Sequence, residues 1–252
     1  MKVKVCGIEI ESTESEKLLG LTIGNDLSWK AYLYGETWRI PEKDNLPGLL
    51  PQLSQRVGML RKLSNLVPKP RFKMLCQGIF DSKVLYCLQV FGNVWGFGYD
   101  ETERRYSGFT REDSRKLQVI QNKVCRMKTG LGYEVSSKSL LQADDDLSIH
   151  QLTAYHTLVT VHKIKVSQKP RYIDQRLPFR PSNDDDDEEP HRNSKKIYVG
   201  NQELNMSRAG FVYRGGHLWN QLPTTMRTLS TTVQFKQQVR GWVKQNVTIK
   251  PG

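Results

Sequence analysis

The chain has 252 residues, 37% of them apolar and 25% charged, which excludes wholesale disorder and leaves room for a packed core. Its 38 Lys and Arg outnumber 26 Asp and Glu, for a net charge of +12; six acids form one run, Asp184 to Glu189, so the remainder carries +18. A surplus of that sign suits polyanions, nucleic acid ahead of an anionic membrane.

No stretch reaches the roughly 20 apolar residues of a membrane-spanning helix, so no membrane partner is expected. Met1-Lys2-Val3-Lys4-Val5 has no signal-peptide core behind it. Cys6, Cys76, Cys87 and Cys125 lie far apart with no C-x-x-C pair. They read as small buried hydrophobes in a reducing compartment, which places the protein inside the cell, in cytoplasm or nucleus, and not among secreted proteins.

In chain order, Lys2 to Ile10 alternates Val3, Val5, Ile8 and Ile10 with polar residues, broken at Cys6-Gly7. A polar stretch then leads to a second apolar run, Lys17 to Ile23, stopped by Gly24-Asn25-Asp26. The pattern predicts one β-hairpin, which must lie on something because a two-stranded ribbon is marginal alone. Leu27 to Asp44 is irregular, with Trp29, Tyr32, Tyr34 and Trp38 on different faces of any regular element.

Leu49, Leu53, Val57, Leu60 and Leu63 recur at helical steps and predict a helix from Leu49 to Leu66. A second, apolar on nearly every face, is expected from Arg71 to about Val90, followed by a Gly- and aromatic-rich loop, Phe91 to Phe109. A third runs from Asp113 to Met127. Its Leu117, Ile120, Val124 and Met127 fall within about 80°, while Arg115, Lys116, Lys123 and Arg126 fill about 100° of the wheel.

Ser136 to Gln142 reads as a short helical turn and Leu147 to Val166 as a longer helix. Pro170 to Gly200, with its prolines and acids, reads as a loop or linker. The last block predicts a strand around Gly210 to Arg214, a Gly-Gly turn, a buried Trp219 and a final helix from Thr232 to about Asn246.

His150, His156 and His162 stand about 240° apart on a helix and cannot jointly hold a metal. Asp144-Asp145-Asp146 precedes an apolar-periodic segment and reads as an N-cap or solvated loop. No phosphate loop, dinucleotide fingerprint, nucleophile elbow or zincin motif occurs. The basic stripe of the third helix is either a solvated face or a phosphate-reading one.

From Pro190 onward stand ten Lys or Arg and one acid, Glu203. Tyr198, Phe211, Tyr213, Trp219 and Trp242 are interleaved with them, the mixture of cations and stacking rings that single-stranded nucleic acid uses, although several rings are also expected in the core. The acidic run is either a solvated linker or an internal polyanion mimic competing for the basic surface.

A series of segments runs in order along the chain, starting with Lys17-Leu18-Leu19-Gly20-Leu21-Thr22-Ile23 and Asp26-Leu27-Ser28-Trp29-Lys30. Leu53-Ser54-Gln55-Arg56-Val57-Gly58-Met59-Leu60-Arg61-Lys62-Leu63, Tyr86-Cys87 and Val94-Trp95-Gly96 follow. After them come Leu117-Gln118-Val119-Ile120-Gln121-Asn122-Lys123, Leu147-Ser148-Ile149-His150-Gln151-Leu152 and Phe211-Val212-Tyr213-Arg214-Gly215-Gly216-His217-Leu218-Trp219-Asn220-Gln221-Leu222-Pro223. Together these segments resemble non-LTR retrotransposon reverse transcriptases, the first of them being similar to the segment just past the palm. The series spans nearly the whole chain.

The resemblance implies a primer-gripping end of the palm, then the thumb, which holds template–primer duplex through its backbone, then the region beyond it. Fingers and palm would lie upstream of Met1, with the Y-x-D-D strand and its partner aspartate. Without converging carboxylates there is nowhere to place two metals for nucleotidyl transfer. The expectation is therefore a chain that is not an enzyme by itself, with no catalytic residue, no metal and no cofactor.

The expected fold is mostly α with a small N-terminal β-hairpin (α+β): a hairpin over 1–26, a thumb-like helical bundle over 27–169, a linker over 170–200 and a basic segment over 201–252. The expected partner is RNA or RNA–DNA hybrid. Its phosphate contacts are Arg115, Lys116, Lys123, Arg126, Arg208, Arg214, Arg227 and Lys236. The alternative is a protein-interaction or self-associating module whose palm-facing surface docks a protein.

Overall fold

Alternating residues over the first 24 positions fold as two short antiparallel hairpins, where the sequence predicts one. β1 (Lys2–Val5) pairs with β2 (Ile8–Glu11), with Lys2 opposite Glu11. β3 (Ser15–Leu18) pairs with β4 (Leu21–Gly24). The second run closes on itself because Leu19 (φ 49°) and Gly20 (φ 81°) both take left-handed backbone, as a two-residue mirror-image turn requires.

The structure is a computed structural model describing residues 2–5, 8–11, 13–25, 28–35, 47–92, 110–180, 195–200 and 210–247. Cys6, Trp38, the loop 93–109, the acidic run 184–189 and Arg208 lie outside the described residues. The chain divides into two compact units: Met1–Tyr86 with Gly108–Asp146, and Cys87–Ser107 with Leu147–Gly252. Mostly helical with a small β N-terminus, the molecule has the expected α+β class.

In the first unit, α1 (Lys30–Tyr34) orders part of the segment that looked irregular. α2 (Leu49–Leu63) buries Leu49, Leu53, Val57 and Leu60 at the predicted spacing. α3 (Lys69–Cys76) starts with Pro70 near its first turn, where a missing N–H costs nothing. The expected long helix beyond it is interrupted. Gln77–Asp81 widens into a π turn, α4 is only Ser82–Leu85, and Cys87 enters left-handed backbone (φ 55°) before α5 (Leu88–Phe91). Side chains take two carbonyls of the widened turn: the Arg56 guanidinium donates to Ile79, and Ser82 Oγ to Gly78 at 2.5 Å. The break at Tyr86-Cys87 is also where the first unit hands over to the second.

α6 (Arg111–Thr129) begins two residues before its expected start, because Thr110 and Asp113 form a reciprocal capping box. Gly130, at φ 77°, ends it as a left-handed cap. Leu117, Ile120 and Val124 are buried, and α6 packs on α2, α3 and α7 (Ser137–Ala143).

The second unit is organised by α8 (Ile149–Ser167), whose capping box uses Ser148 and Gln151 rather than the preceding aspartates. The expected linker is built into this unit at both ends. α9 (Arg171–Asp174) continues to a bridge between Phe179 and Ile197, and both Leu177 and Ile197 are fully buried.

The expected strand and Gly-Gly turn are instead one helix, α10 (Phe211–Gln221). Gly215 and Gly216 serve close packing: an added Cβ would stand 2.8 Å from Val161 Cγ2 and 2.6 Å from Val199 Cγ2, respectively. α11 (Thr224–Arg227) and α12 (Thr232–Asn246) complete the unit. Trp219, Phe235, Val239 and Val243 join Leu158 and Val161 of α8 in its core.

Candidate nucleic-acid interface

The expected basic face of α6 is present but not uniform. Arg115, Lys116 and Lys123 are exposed. Arg115 is held by Glu112 in a two-pronged pair, Nε–Oε2 2.7 Å and Nη2–Oε1 2.8 Å, which cancels much of its charge. Lys116 donates to Tyr34 Oη at 3.0 Å and lies 4.8 Å from that ring's centre. Arg126 turns back on its own unit, donating to Gly132 O and Val135 O at 3.2 Å each and resting on the Tyr133 ring. Lys116 and Lys123 are the outward charges, two turns and about 10 Å apart along the axis.

A second basic group was not among the expected contacts. Lys17 of β3 and Arg56 of α2 lie near enough to Lys83 of α4 for their charges to act on it: burial first, then Arg56 and Lys17, hold the Lys83 ammonium below the usual lysine range. Arg56 is fixed there by its bond to Ile79 O. Tyr86 Oη donates to Leu19 O at 2.5 Å and so ties the β3–β4 turn beside them. Like charges gathered from three elements create a field that a phosphate backbone relieves.

Asp144 and Asp146, read as a cap or solvated loop, are part of a buried ion network. The Lys128 ammonium contacts Asp144 Oδ2 and lies 3.1 Å from Asp146 Oδ2, while Lys73 reaches Asp144 Oδ1 at 3.2 Å. The Lys128 and Asp144 side chains are only 8% and 3% exposed. Burial alone would pull the proton off Lys128, but Asp146 and Asp144 outweigh it and hold the ammonium above the usual lysine range.

Asp81 is pushed up to about 6, chiefly by burial, with Asp146 and Asp144 adding to the rise against the lowering influence of Lys128. Donor atoms of Cys125, Asp144 and Asp146 lie within 4.8 Å of one another, the spacing of a metal site. Their chemistry does not fit one. An ammonium already bridges the carboxylates, and burial pushes the Cys125 thiol up to about 12, so it stays protonated and donates to Asp146 Oδ2. This cluster is structural.

In the second unit, two expected phosphate contacts are corrected. Arg214 is 4% exposed, and its guanidinium donates to the carbonyls of Gly92, Gln89 and Val90, at the C-terminal end of α5. It is a helix cap, placed where the dipole favours a cation. Arg227 is equally buried and donates to Thr224 Oγ1 at 3.0 Å. Lys236 is exposed on α12. The three histidines do lie apart: His162 stacks on Phe235 with ring centres 4.1 Å apart and bonds Leu229 O, His150 is buried, and His156 is half-buried.

The aromatic residues separate in the same way. Trp219 is core. Tyr198, Phe211 and Tyr213, joined by Tyr172 and Arg176, instead line a pocket of about 600 Å³.

No family model, curated protein or solved structure matches this chain. Among the described residues no helix is long and apolar enough to cross a membrane.

Lys17, Arg56 and Lys83 escaped sequence reasoning because 66 positions separate the first from the last. Lys128 did leave a signal: eleven residues beyond Leu117, it falls about 20° from that buried leucine on a helical wheel.

Proposed function

We propose that this chain binds RNA or RNA–DNA hybrid through its sugar–phosphate backbone without polymerising, as the thumb-side part of a non-LTR retrotransposon reverse transcriptase. The observation that carries the reading is the basic group of Lys17, Arg56 and Lys83, drawn from three elements, in which burial first and then the charges of Arg56 and Lys17 hold Lys83 below its usual range. The outward Lys116 and Lys123 of α6 support it, as does the ordered series of segments resembling that family. These residues position a duplex and read no base, so affinity follows phosphate contacts and counterion release.

The test is affinity for a short RNA–DNA hybrid across a range of salt concentrations. Binding should weaken steeply as salt rises, and Lys17→Gln with Lys83→Gln should reduce the slope of log affinity against log salt by about one per lysine. Flat affinity, or no binding, removes the reading. Extension of a labelled primer by the purified chain with magnesium and deoxynucleotides would remove its non-catalytic half.

A second reading is an interaction or self-associating module. Leu18 (61% exposed) and Leu19 (81%) at the β3–β4 turn favour it, as large apolar side chains left in water. Light scattering separates the two: an oligomer indifferent to nucleic acid supports this reading, and a monomer that binds hybrid supports the first.

A further inference from the structure

The pocket in the second unit is a separate site and goes beyond the backbone-binding reading. One wall is the end of α9 with the turn after it, carrying Tyr172, Ile173 and Arg176. Another is the segment after the Phe179–Ile197 bridge, carrying Tyr198 and Val199. The start of α10 supplies Phe211 and Tyr213. At about 600 Å³ the cavity lies in the range of small-molecule sites.

Its walls are held in place. Asn220 clamps Ile197 from both sides, its Oδ1 accepting from the Ile197 N–H at 2.7 Å and its Nδ2 donating to the Ile197 carbonyl at 2.8 Å. The Tyr198 N–H donates to Pro178 O at 2.8 Å. Lys165 ties the α9 wall to α8 through Asp174 Oδ1 at 2.6 Å and Leu177 O at 2.9 Å. The Tyr213 ring packs on His217 with centres 4.4 Å apart. Yet Tyr172 and Tyr198 leave 68% and 57% of their surface open. Rings that are anchored by their backbone but largely open to solvent are poor core and good stacking platforms.

Charge selects among flat ligands. Over 168–180, 195–200 and 210–217 the only acid is Asp174, which Lys165 neutralises, while Arg171, Arg176 and Arg180 are exposed. Of these, Arg176 lines the pocket: an uncharged aromatic leaves its guanidinium unused, while a ring carrying a phosphate uses both features.

We propose that this pocket binds an unpaired nucleobase, held against both Tyr172 and Tyr198 with its phosphate toward Arg176. The ligand chemistry is a nucleobase with an attached phosphate, from a single strand or a free nucleotide.

The test uses the full chain and a labelled eight-nucleotide RNA, compared by fluorescence anisotropy with an abasic oligomer of the same length and charge. The RNA should bind on the order of tenfold tighter, the scale of one stacked base. Tyr198→Ala should abolish that preference, Tyr198→Phe should keep it, and both should leave affinity for hybrid duplex unchanged. Should Tyr198→Ala fail to fold, Tyr172→Ala carries the same comparison.

Competition by a nucleoside monophosphate identifies the free nucleotide as a source; competition by the oligomer alone identifies the strand. Equal binding of RNA and abasic oligomer, or an unchanged preference in folded Tyr172→Ala and Tyr198→Ala, overturns the site. Loss of hybrid binding in the Lys17 and Lys83 variants with the base preference intact tests the backbone reading alone.

Discussion

The two units are built from similar helices but fill their interiors differently. The first places a cation and acids inside: Lys128 with Asp144 and Asp146, and the half-buried Asp81. The second is packed from apolar and aromatic side chains with neutral imidazole among them, as in the Trp219, Phe235 and His162 stack. Its buried cations, Arg214 and Arg227, bond carbonyl and hydroxyl oxygens. An ionic interior depends on every partner being present, whereas an aromatic one depends on shape. The two should therefore break under different substitutions and respond oppositely to acid.

The largest expected effect is Lys128→Met, which removes the ammonium bridging Asp144 and Asp146, with Lys73 still on Asp144, and should cost about 3–5 kcal/mol in urea denaturation. A loss under about 1 kcal/mol would mean that the carboxylates rehydrate and that the first interior is not ionic in any useful sense. Arg214→Leu strips the carbonyls of Gly92, Gln89 and Val90 of their donors and should cost about 3 kcal/mol. That is the second unit's nearest equivalent of a charge deletion. Gly216→Ala tests shape alone: the new methyl meets Val199 Cγ2, and about 1–3 kcal/mol of overpacking should outweigh the helix gain of up to about 1 kcal/mol. A stabilised Gly216→Ala would show that Val199 yields.

Acid supplies the finest contrast. Asp81 has a folded pKa of about 6 against an ordinary 3.8, so the folded state takes up its proton first. The first unit should lose stability as pH rises from about 4 to 6, with the penalty fully present above that window. Allowing for solvent screening of a partly exposed carboxyl, the effect is about 1 kcal/mol, and Asp81→Asn should erase it.

His162 runs the other way. Burial lowers its pKa from 6.5 against the bond to Leu229 O, so its contribution is present above pH 6.5 and lost as pH falls through the lowered value. Melting curves at pH 7.5 and 5, read with His162→Phe and Asp81→Asn, should show the two slopes with opposite signs. Parallel slopes would break the comparison.

Much of the helical frame was legible because long periodic runs leave few alternatives: α2 begins at the predicted Leu49, and α12 matches its predicted bounds. Phe211 to Gly216 was misread because aromatic alternation followed by two glycines mimics a strand and turn. Only the packing of Val161 and Val199 against those glycines reveals a helix. The continuous apolar run from Arg71 onward hid the break at Cys87, since nothing in a hydrophobic pattern marks one left-handed residue. At the site, Tyr198, Phe211 and Tyr213 were recognisable as stacking rings. Tyr172 and Arg176 were not, because a proline-rich stretch looked like linker while the bridge to Ile197 orders it.

Arg214 grips carbonyls contributed by residues 89 to 92, more than a hundred positions earlier in the chain. A gene fragment encoding only residues 147 to 252 would include the guanidinium and omit its acceptors. Dissecting the second unit by simple truncation would thus take three acceptors from a guanidinium that sits indoors. A faithful excision must splice the short helix ahead of Gly92 back onto the downstream piece.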